Sequence, residues 1–120
     1  MREIKSYKDL IVWQKSMDLA EMIYKYTAKY PQAEVYSLTA QMRRAAVSVV
    51  SNIAEGKGRY SKPEYLRFLS ISLGSLCELE TQVMLSVRLN YLEEKEANSI
   101  LSLCTEIGKM LIALRMKLLG

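Results

Sequence analysis

Apolar residues recur at helical spacing along nearly the whole chain. The clearest run lies near the C-terminus, where the intervals alternate between three and four: Ala97, Ile100, Cys104, Ile107, Leu111, Leu114 and Leu118. Such a heptad pattern predicts a helix that packs one seam against other helices. Glutamates at its start and Arg115 and Lys117 near its end complement the helix dipole. We expect this helix to cover about residues 93–118.

Three further segments have the same amphipathic character. Breaks at Pro31, at residues 56–58 and at residues 90–91 separate them, and no alternating strand pattern lies between the breaks. The predicted helices cover about residues 8–30, 37–56 and 62–89. Four amphipathic helices with short connections predict an all-α fold, an antiparallel up-down-up-down four-helix bundle that forms a single domain over residues 1–120.

The apolar stripes on the first and third predicted helices are wider than one seam requires. Trp13 and several tyrosines lie on these stripes. One interpretation is that both edges of each stripe meet the two flanking helices of the same bundle. The other is that the surplus apolar surface is buried against another copy of the chain, which predicts a homo-oligomer.

The junction between the second and third helices carries two local signals. Gly56 and Gly58 form a Gly-x-Gly pattern, which could cradle a phosphate, but it follows a helix and Ser61 stands where a third glycine would be. The alternative is a helix end in which one of the two glycines adopts a positive φ. Ser61 and Glu64 have the spacing of a capping box for the third helix.

Composition excludes several kinds of chemistry. The chain has no histidine, which excludes a Ser-His-Asp or Cys-His centre, a His-ligated metal and a histidine pH switch. Cys77 and Cys104 form no CxxC pair, and we expect both to pack as small apolar residues.

The N-terminus lacks the apolar core of a signal peptide, and no apolar run reaches the ~20 residues that span a bilayer. We therefore expect a cytoplasmic protein with no membrane contact and no cofactor.

The 17 Lys and Arg exceed the 13 Asp and Glu, and we expect six of these cations to lie around the junction of the second and third helices. They are Arg43, Arg44, Lys57, Arg59, Lys62 and Arg67. Tyr60 and Tyr65 lie among them, and a basic patch with aromatic residues suits phosphate contact and base stacking. The alternative is a solvated helix face with one arginine held internally. Oligomerisation would strengthen the field of such a patch by repeating it.

Glu80 is a candidate for an ion pair between helices. If the second and third helices fold about residues 59–60, Glu80 lies opposite Thr39, with Arg43 and Arg44 about one turn away. We interpret this placement as an ion pair that sets the register of the hairpin, not as a catalytic site.

Short motifs follow one another from residue 7 to residue 118. They are Asp9-Leu10 with Val12-Trp13-Gln14-Lys15, Gln41 to Ala46, the run Ser51 to Gly56 that reads SNIAEG, Gly74-Ser75-Leu76, Glu78-Leu79-Glu80 and Asn90-Tyr91-Leu92. Together they resemble the small four-helix-bundle family of the 23S ribosomal RNA intervening-sequence protein. The matching signature residues Asn52, Glu55, Gly56 and Glu80 are expected to be structural. The resemblance implies no catalytic residues.

The same resemblance implies an assembly and a class of partner. Members of the family are often encoded within insertions in ribosomal RNA genes, and related bundles form barrel-shaped homopentamers of basic character. Similar proteins are nucleic-acid-binding accessories of reverse transcriptases in retroelements. The expected partners are therefore further copies of the chain, ribosomal or other structured RNA, and a reverse transcriptase.

The function that these observations favour is a non-enzymatic homo-oligomer, a ring of five, that binds structured RNA or ribonucleoprotein through the basic cluster. The alternative is a protein-docking adaptor or scaffold that does not contact nucleic acid. An enzyme on a bundle scaffold is a third hypothesis, which the lack of histidine, metal-ligand spacing and a nucleophile disfavours.

Overall fold

The computed structural model describes residues 4–120, and within that range it contains four α-helices and no β-strand. The helices are α1 (Ile11–Thr27), α2 (Leu38–Gly58), α3 (Lys62–Arg88) and α4 (Glu94–Leu119). Short 3-10 turns, Tyr7–Asp9 and Gln32–Glu34, precede α1 and α2. Both α1 and α3 pack against α2 and α4, as expected when consecutive helices are neighbours around a bundle. The predicted all-α bundle is confirmed.

The core of the bundle is built from the seams that the sequence pattern predicts. On α4, the seam residues from Ala97 to Leu111 are buried, and Leu114 and Leu118 at the helix end are half-buried. Leu19 and Ile23 of α1 are fully buried against them. Burying one such aliphatic side chain contributes about 1.5–3 kcal/mol, so these seams supply the main stabilisation of the fold.

Small residues allow α2 and α3 to pack closely. Ser72 Oγ donates a hydrogen bond to the Val49 carbonyl oxygen at 2.7 Å, and Ser48 Oγ lies 2.7 Å from Ser75 Oγ. A Cβ atom on Gly56 would lie only 2.9 Å from Phe68 Cβ. Gly56 is therefore needed because the two helices leave no room for a side chain at this position.

The turn between α2 and α3 differs from the prediction. No glycine in residues 4–120 has a positive φ, so the expectation for Gly56 or Gly58 is wrong. Both glycines lie inside α2, and the left-handed residue is Tyr60, at φ 55°. Of the two hydrogen bonds of the capping box predicted at the start of α3, one forms. Ser61 Oγ accepts a hydrogen bond from Glu64 N at 3.4 Å, but the Glu64 carboxylate binds Arg67 Nε at 2.9 Å instead of the Ser61 backbone.

A hydrogen bond joins the two loops at the far end of the bundle, which we call the opposite end: the α1–α2 loop and the α3–α4 loop. Glu34 of the first loop accepts hydrogen bonds from Ser37 Oγ at 2.6 Å and from Tyr91 Oη of the second loop at 2.8 Å. The bond from Ser37, then those from Tyr91 and the Leu38 backbone, lower the pKa of Glu34 below its usual value. The carboxylate thereby stays charged and keeps the loops together.

α4 is long and apolar enough to cross a membrane by length and composition, and 28% of its most apolar stretch is buried in the bundle. No uninterrupted apolar run marked this helix in the sequence, because Glu106, Lys109 and small polar residues divide its apolar ones. Length and composition do not by themselves place a helix in a membrane, since the apolar seam of a bundle helix meets the same criterion.

Candidate nucleic-acid interface

The antiparallel packing collects positive charge at one end of the bundle, which we call the basic end. The end is formed by the start of α1, the α2–α3 turn and the C-terminus of α4. Its cations are Lys5, Lys8, Lys57, Arg59, Lys62, Arg67, Arg115 and Lys117, and its anions are Asp9, Glu55 and Glu64. The basic end thus has eight positive and three negative side chains, whereas the rest of residues 4–120 has eight positive and nine negative ones. The excess charge of the chain is concentrated at this end.

Two arginines cover the ring of Phe68 at the α2–α3 turn. The guanidinium carbon of Arg59 lies 5.1 Å from the ring centroid and that of Arg67 lies 4.5 Å from it. Arg59 also pairs with Glu55 at 3.0 Å and Arg67 with Glu64 at 2.9 Å. Exposed pairs of this kind stabilise a fold by only about 0–1 kcal/mol. They orient the two guanidinium groups while leaving other N–H groups facing solvent.

A groove lies beside these arginines, with three lysines among its lining residues: Lys57, Lys62 and Lys117. We call it the lysine groove. It encloses about 490 Å³, and its apolar lining includes Leu10, Tyr65, Leu114 and Leu118. None of its lysines forms an ion pair within the described part of the chain. Positive charge beside an apolar floor suits an anion that also carries an apolar group.

Lys117 of the lysine groove is a residue that the sequence analysis did not include among the candidates. It lies far along the chain from the α2–α3 turn, and the end of α4 brings it there. The predicted topology contained this signal, because an up-down-up-down bundle places the C-terminus of its fourth helix beside the turn between the second and third.

Arg43 and Arg44 lie away from the basic end, so their predicted position at the α2–α3 turn is wrong. They precede the end of α2 by about 20 Å at 1.5 Å per residue. Arg43 Nε donates to Thr27 Oγ1 at 3.0 Å and its Nη2 donates to the Tyr24 carbonyl oxygen at 3.2 Å. Its guanidinium also covers the Tyr24 ring at 4.5 Å, so Arg43 ties α2 to α1. Arg44 is exposed on the same part of α2.

The predicted ion pair of Glu80 does not form. The partners of Arg43 lie on α1, and Glu80 is half-buried without an ion pair in residues 4–120.

Burial, and to a lesser extent the charge of Glu80, raises the pKa of Cys104 to about 12. Cys104 therefore remains a neutral thiol in the core, as predicted. Cys77 is exposed on α3, which contradicts the prediction that it is packed.

The remaining signature residues have structural contacts. Asn52 Nδ2 donates to the Ser48 carbonyl oxygen at 2.8 Å and to Ser48 Oγ at 3.0 Å, which holds the hydroxyl that meets Ser75 across the helix pair. Glu55 pairs with Arg59, and Gly56 allows the close approach of α3. Residues 4–120 contain no group of three or more Cys, Asp or Glu placed to hold a metal ion. The excess of cations at the basic end suits the binding of anions.

The comparisons with known proteins agree with this architecture. The model of a family described as "23S rRNA-intervening sequence protein" matches residues 8–113. A solved structure of a protein of unknown function from the S23 ribosomal protein family of Bacteroides thetaiotaomicron is 26% identical, with a TM-score of 0.80 over 88% of this chain and 96% of that chain. No curated protein matches the chain. Since the family model spans most of the sequence, the chain belongs to the 23S rRNA-intervening sequence protein family.

Proposed function

We propose that this protein is a non-enzymatic homo-oligomer that binds structured RNA or ribonucleoprotein through its basic end. The observation that carries the proposal is the uneven charge distribution, eight cations against three anions at one end and eight against nine elsewhere. Phosphates dominate the affinity of nucleic acids for proteins, so a concentrated positive surface is the feature that such binding needs. The description of the family, "23S rRNA-intervening sequence protein", names ribosomal RNA, and this makes a 23S rRNA fragment the first RNA to test.

The arginines and lysines of the basic end would bind phosphate in different ways. Arg59 and Arg67 offer oriented N–H groups that match phosphate oxygens, whereas the lysines of the groove act as mobile point charges. Contacts to phosphate position an RNA without reading its sequence. We therefore propose little sequence preference and an affinity that falls steeply with salt.

Two separate apolar surfaces support self-association. The first is a groove of about 530 Å³ between α1 and α2, lined by Met17, Tyr24 and Val47 among others. The second is a stripe on α4, in which Ile112, Met116 and Leu119 are 53%, 65% and 59% exposed. We propose that the α4 stripe of one copy packs against the α1–α2 groove of the next. Such a contact is heterologous, and its repetition closes into a ring when the rotation allows it. A ring of five is the size that the family resemblance implies.

Two matched triple variants test the proposed RNA-binding surface. The first variant combines Lys57→Gln, Lys62→Gln and Lys117→Gln at the basic end. The control combines Lys25→Gln, Lys29→Gln and Lys95→Gln near the opposite end, so both variants have the same net charge. Light scattering measures assembly, the ultraviolet absorbance ratio reports co-purified nucleic acid, and filter binding measures retention of a 23S rRNA fragment.

The proposal predicts that the basic-end variant loses on the order of tenfold in affinity while the control binds like the wild type. Equal losses in both variants would contradict a localised binding surface. A wild-type protein that retains no RNA, yet captures one protein partner at high salt, would favour the docking adaptor. A mass that corresponds to one chain in dilute buffer would contradict the homo-oligomer.

A further inference from the structure

Tyr60 occupies a position in the α2–α3 turn that the fold does not explain. Its backbone is left-handed, with φ 55°, and its side chain is 95% exposed. After a helix end this conformation is usually taken by glycine, because a Cβ atom is disfavoured there. Two residues earlier the chain has a glycine, Gly58, where a Cβ atom would meet no other atom within 4 Å. The turn thus carries a large aromatic ring where glycine would suit the backbone better.

The ring of Tyr60 differs from the other aromatic rings near it. Tyr65 is buried, and Arg59 and Arg67 cover the ring of Phe68. Tyr60 has no hydrogen bond, ring contact or cation contact within the described part of the chain. Its neighbours in sequence include Arg59 and Lys62. Its ring is therefore open to solvent between positive charges.

We propose that Tyr60 stacks on an unpaired base, so that the basic end prefers RNA with loops, bulges or single-stranded ends over continuous duplex. The inference rests on the proposed function and names the class of RNA that the same surface takes. In a duplex each base is stacked on its neighbours, whereas an unpaired base can turn out and stack on an aromatic side chain. The phosphates on either side of that base then lie within reach of Arg59 and Lys62.

The experiment compares two RNAs and three variants. The RNAs are a stem closed by an unpaired uridine-rich loop and a fully paired duplex with the same number of phosphates. Tyr60→Gly removes the ring, Tyr60→Phe keeps it, and Tyr36→Ala is the control because Tyr36 is 94% exposed at the opposite end. Fluorescence anisotropy measures each affinity, and thermal melting and light scattering measure folding and assembly.

We expect Tyr60→Gly to lose about tenfold in affinity for the stem-loop and to bind the duplex like the wild type. Tyr60→Phe and Tyr36→Ala should leave both affinities unchanged. Tyr60→Gly should melt no lower than the wild type, because glycine accepts the left-handed backbone without strain.

Three outcomes would overturn the inference. If Tyr60→Gly binds the stem-loop as tightly as the wild type, the Tyr60 ring does not contact RNA. The proposed function would still stand. A change of assembled mass in Tyr60→Gly would assign the ring to a contact between copies of the chain. If the wild type binds neither RNA, the proposed function fails, and the inference fails with it.

Discussion

At the opposite end of the bundle, the Glu34 carboxylate accepts hydrogen bonds from Tyr91 and Ser37, and the Tyr30 and Tyr91 rings pack with centroids 5.3 Å apart. At the basic end, the lysines of the groove have no ion-pair partner in residues 4–120. Over the same range, the ring of Tyr60 has no ring or cation contact. The first end uses Glu34 to join its loops, but it also has an exposed ring, Tyr36. The two ends therefore differ mainly in charge. The basic end has eight cations against three anions, whereas the rest of residues 4–120 has eight against nine, and a concentrated positive surface attracts polyanions.

The largest effect on stability is expected where the basic end is closely packed. Gly56→Ala places a Cβ atom 2.9 Å from Phe68 Cβ and 3.1 Å from Tyr65 Cδ1, so α2 and α3 must move apart. We expect a loss of about 1–3 kcal/mol in the free energy of unfolding, measured by denaturant titration.

Gly58→Ala is the matched control for that change. The added Cβ atom meets nothing within 4 Å, and the backbone there is helical. We expect this variant to gain about 0.4–1 kcal/mol because alanine loses less backbone entropy on folding than glycine. Equal effects of the two substitutions would contradict the close approach of the helices as the reason for Gly56.

Arg43 and Arg44 are neighbours on α2 that differ in their contacts. Arg43 binds α1, whereas Arg44 is exposed and has no ion pair in residues 4–120. Arg43→Ala removes the hydrogen bonds to Thr27 and Tyr24 and the cation–π contact, and we expect it to cost about 2 kcal/mol. Arg44→Ala should change stability by less than about 0.5 kcal/mol. Filter binding should give wild-type RNA affinity for both variants. If Arg43→Ala is as stable as the wild type but binds RNA more weakly, Arg43 belongs to the RNA-binding surface and not to the packing of α1 against α2.

Acid should weaken the loop contacts of the opposite end. The pKa of Glu34 is lowered below its usual 4.5 by hydrogen bonds from Ser37 first and then from Tyr91 and Leu38. A carboxylate with a lowered pKa stabilises the fold above its usual pKa, and the contribution disappears as pH falls through the lowered value. Thermal melting of Glu34→Gln should therefore show reduced stability at neutral pH and a smaller further loss below pH 4.5. Parallel melting curves for variant and wild type over this range would refute the role of Glu34.

Much of the fold follows from the spacing of apolar residues, because burial imposes that spacing directly. The seam from Ala97 to Leu111 is buried as predicted. The breaks near Pro31, Gly58 and Asn90 predicted the turns, since few helix-breaking residues interrupt the helices. The exact turn geometry did not follow. The preference of glycine for a positive φ predicted that conformation at Gly56 or Gly58. The chain adopts the positive φ at Tyr60 instead, two residues after Gly58.

The candidate site was harder to predict because side-chain partners depend on helix rotation. The hairpin register placed Arg43 near Glu80, but the rotation of α2 turns Arg43 towards Thr27 and Tyr24 of α1. Lys117 joins the lysine groove from a distant helix, and proximity in sequence could not indicate it. Local charge density predicted Lys57, Arg59, Lys62 and Arg67 at the turn because these residues are neighbours in the chain as well as in space.

The salt dependence of RNA affinity tests the central claim most directly. The logarithm of the binding constant is measured against the logarithm of salt concentration for the wild type and for the two triple lysine variants. Each phosphate contact contributes about 0.7–0.9 to the slope, so loss of Lys57, Lys62 and Lys117 should reduce its magnitude by about two to three. The opposite-end control should keep the wild-type slope. An unchanged slope in the basic-end variant, or the same reduction in both variants, would contradict a localised phosphate-binding surface.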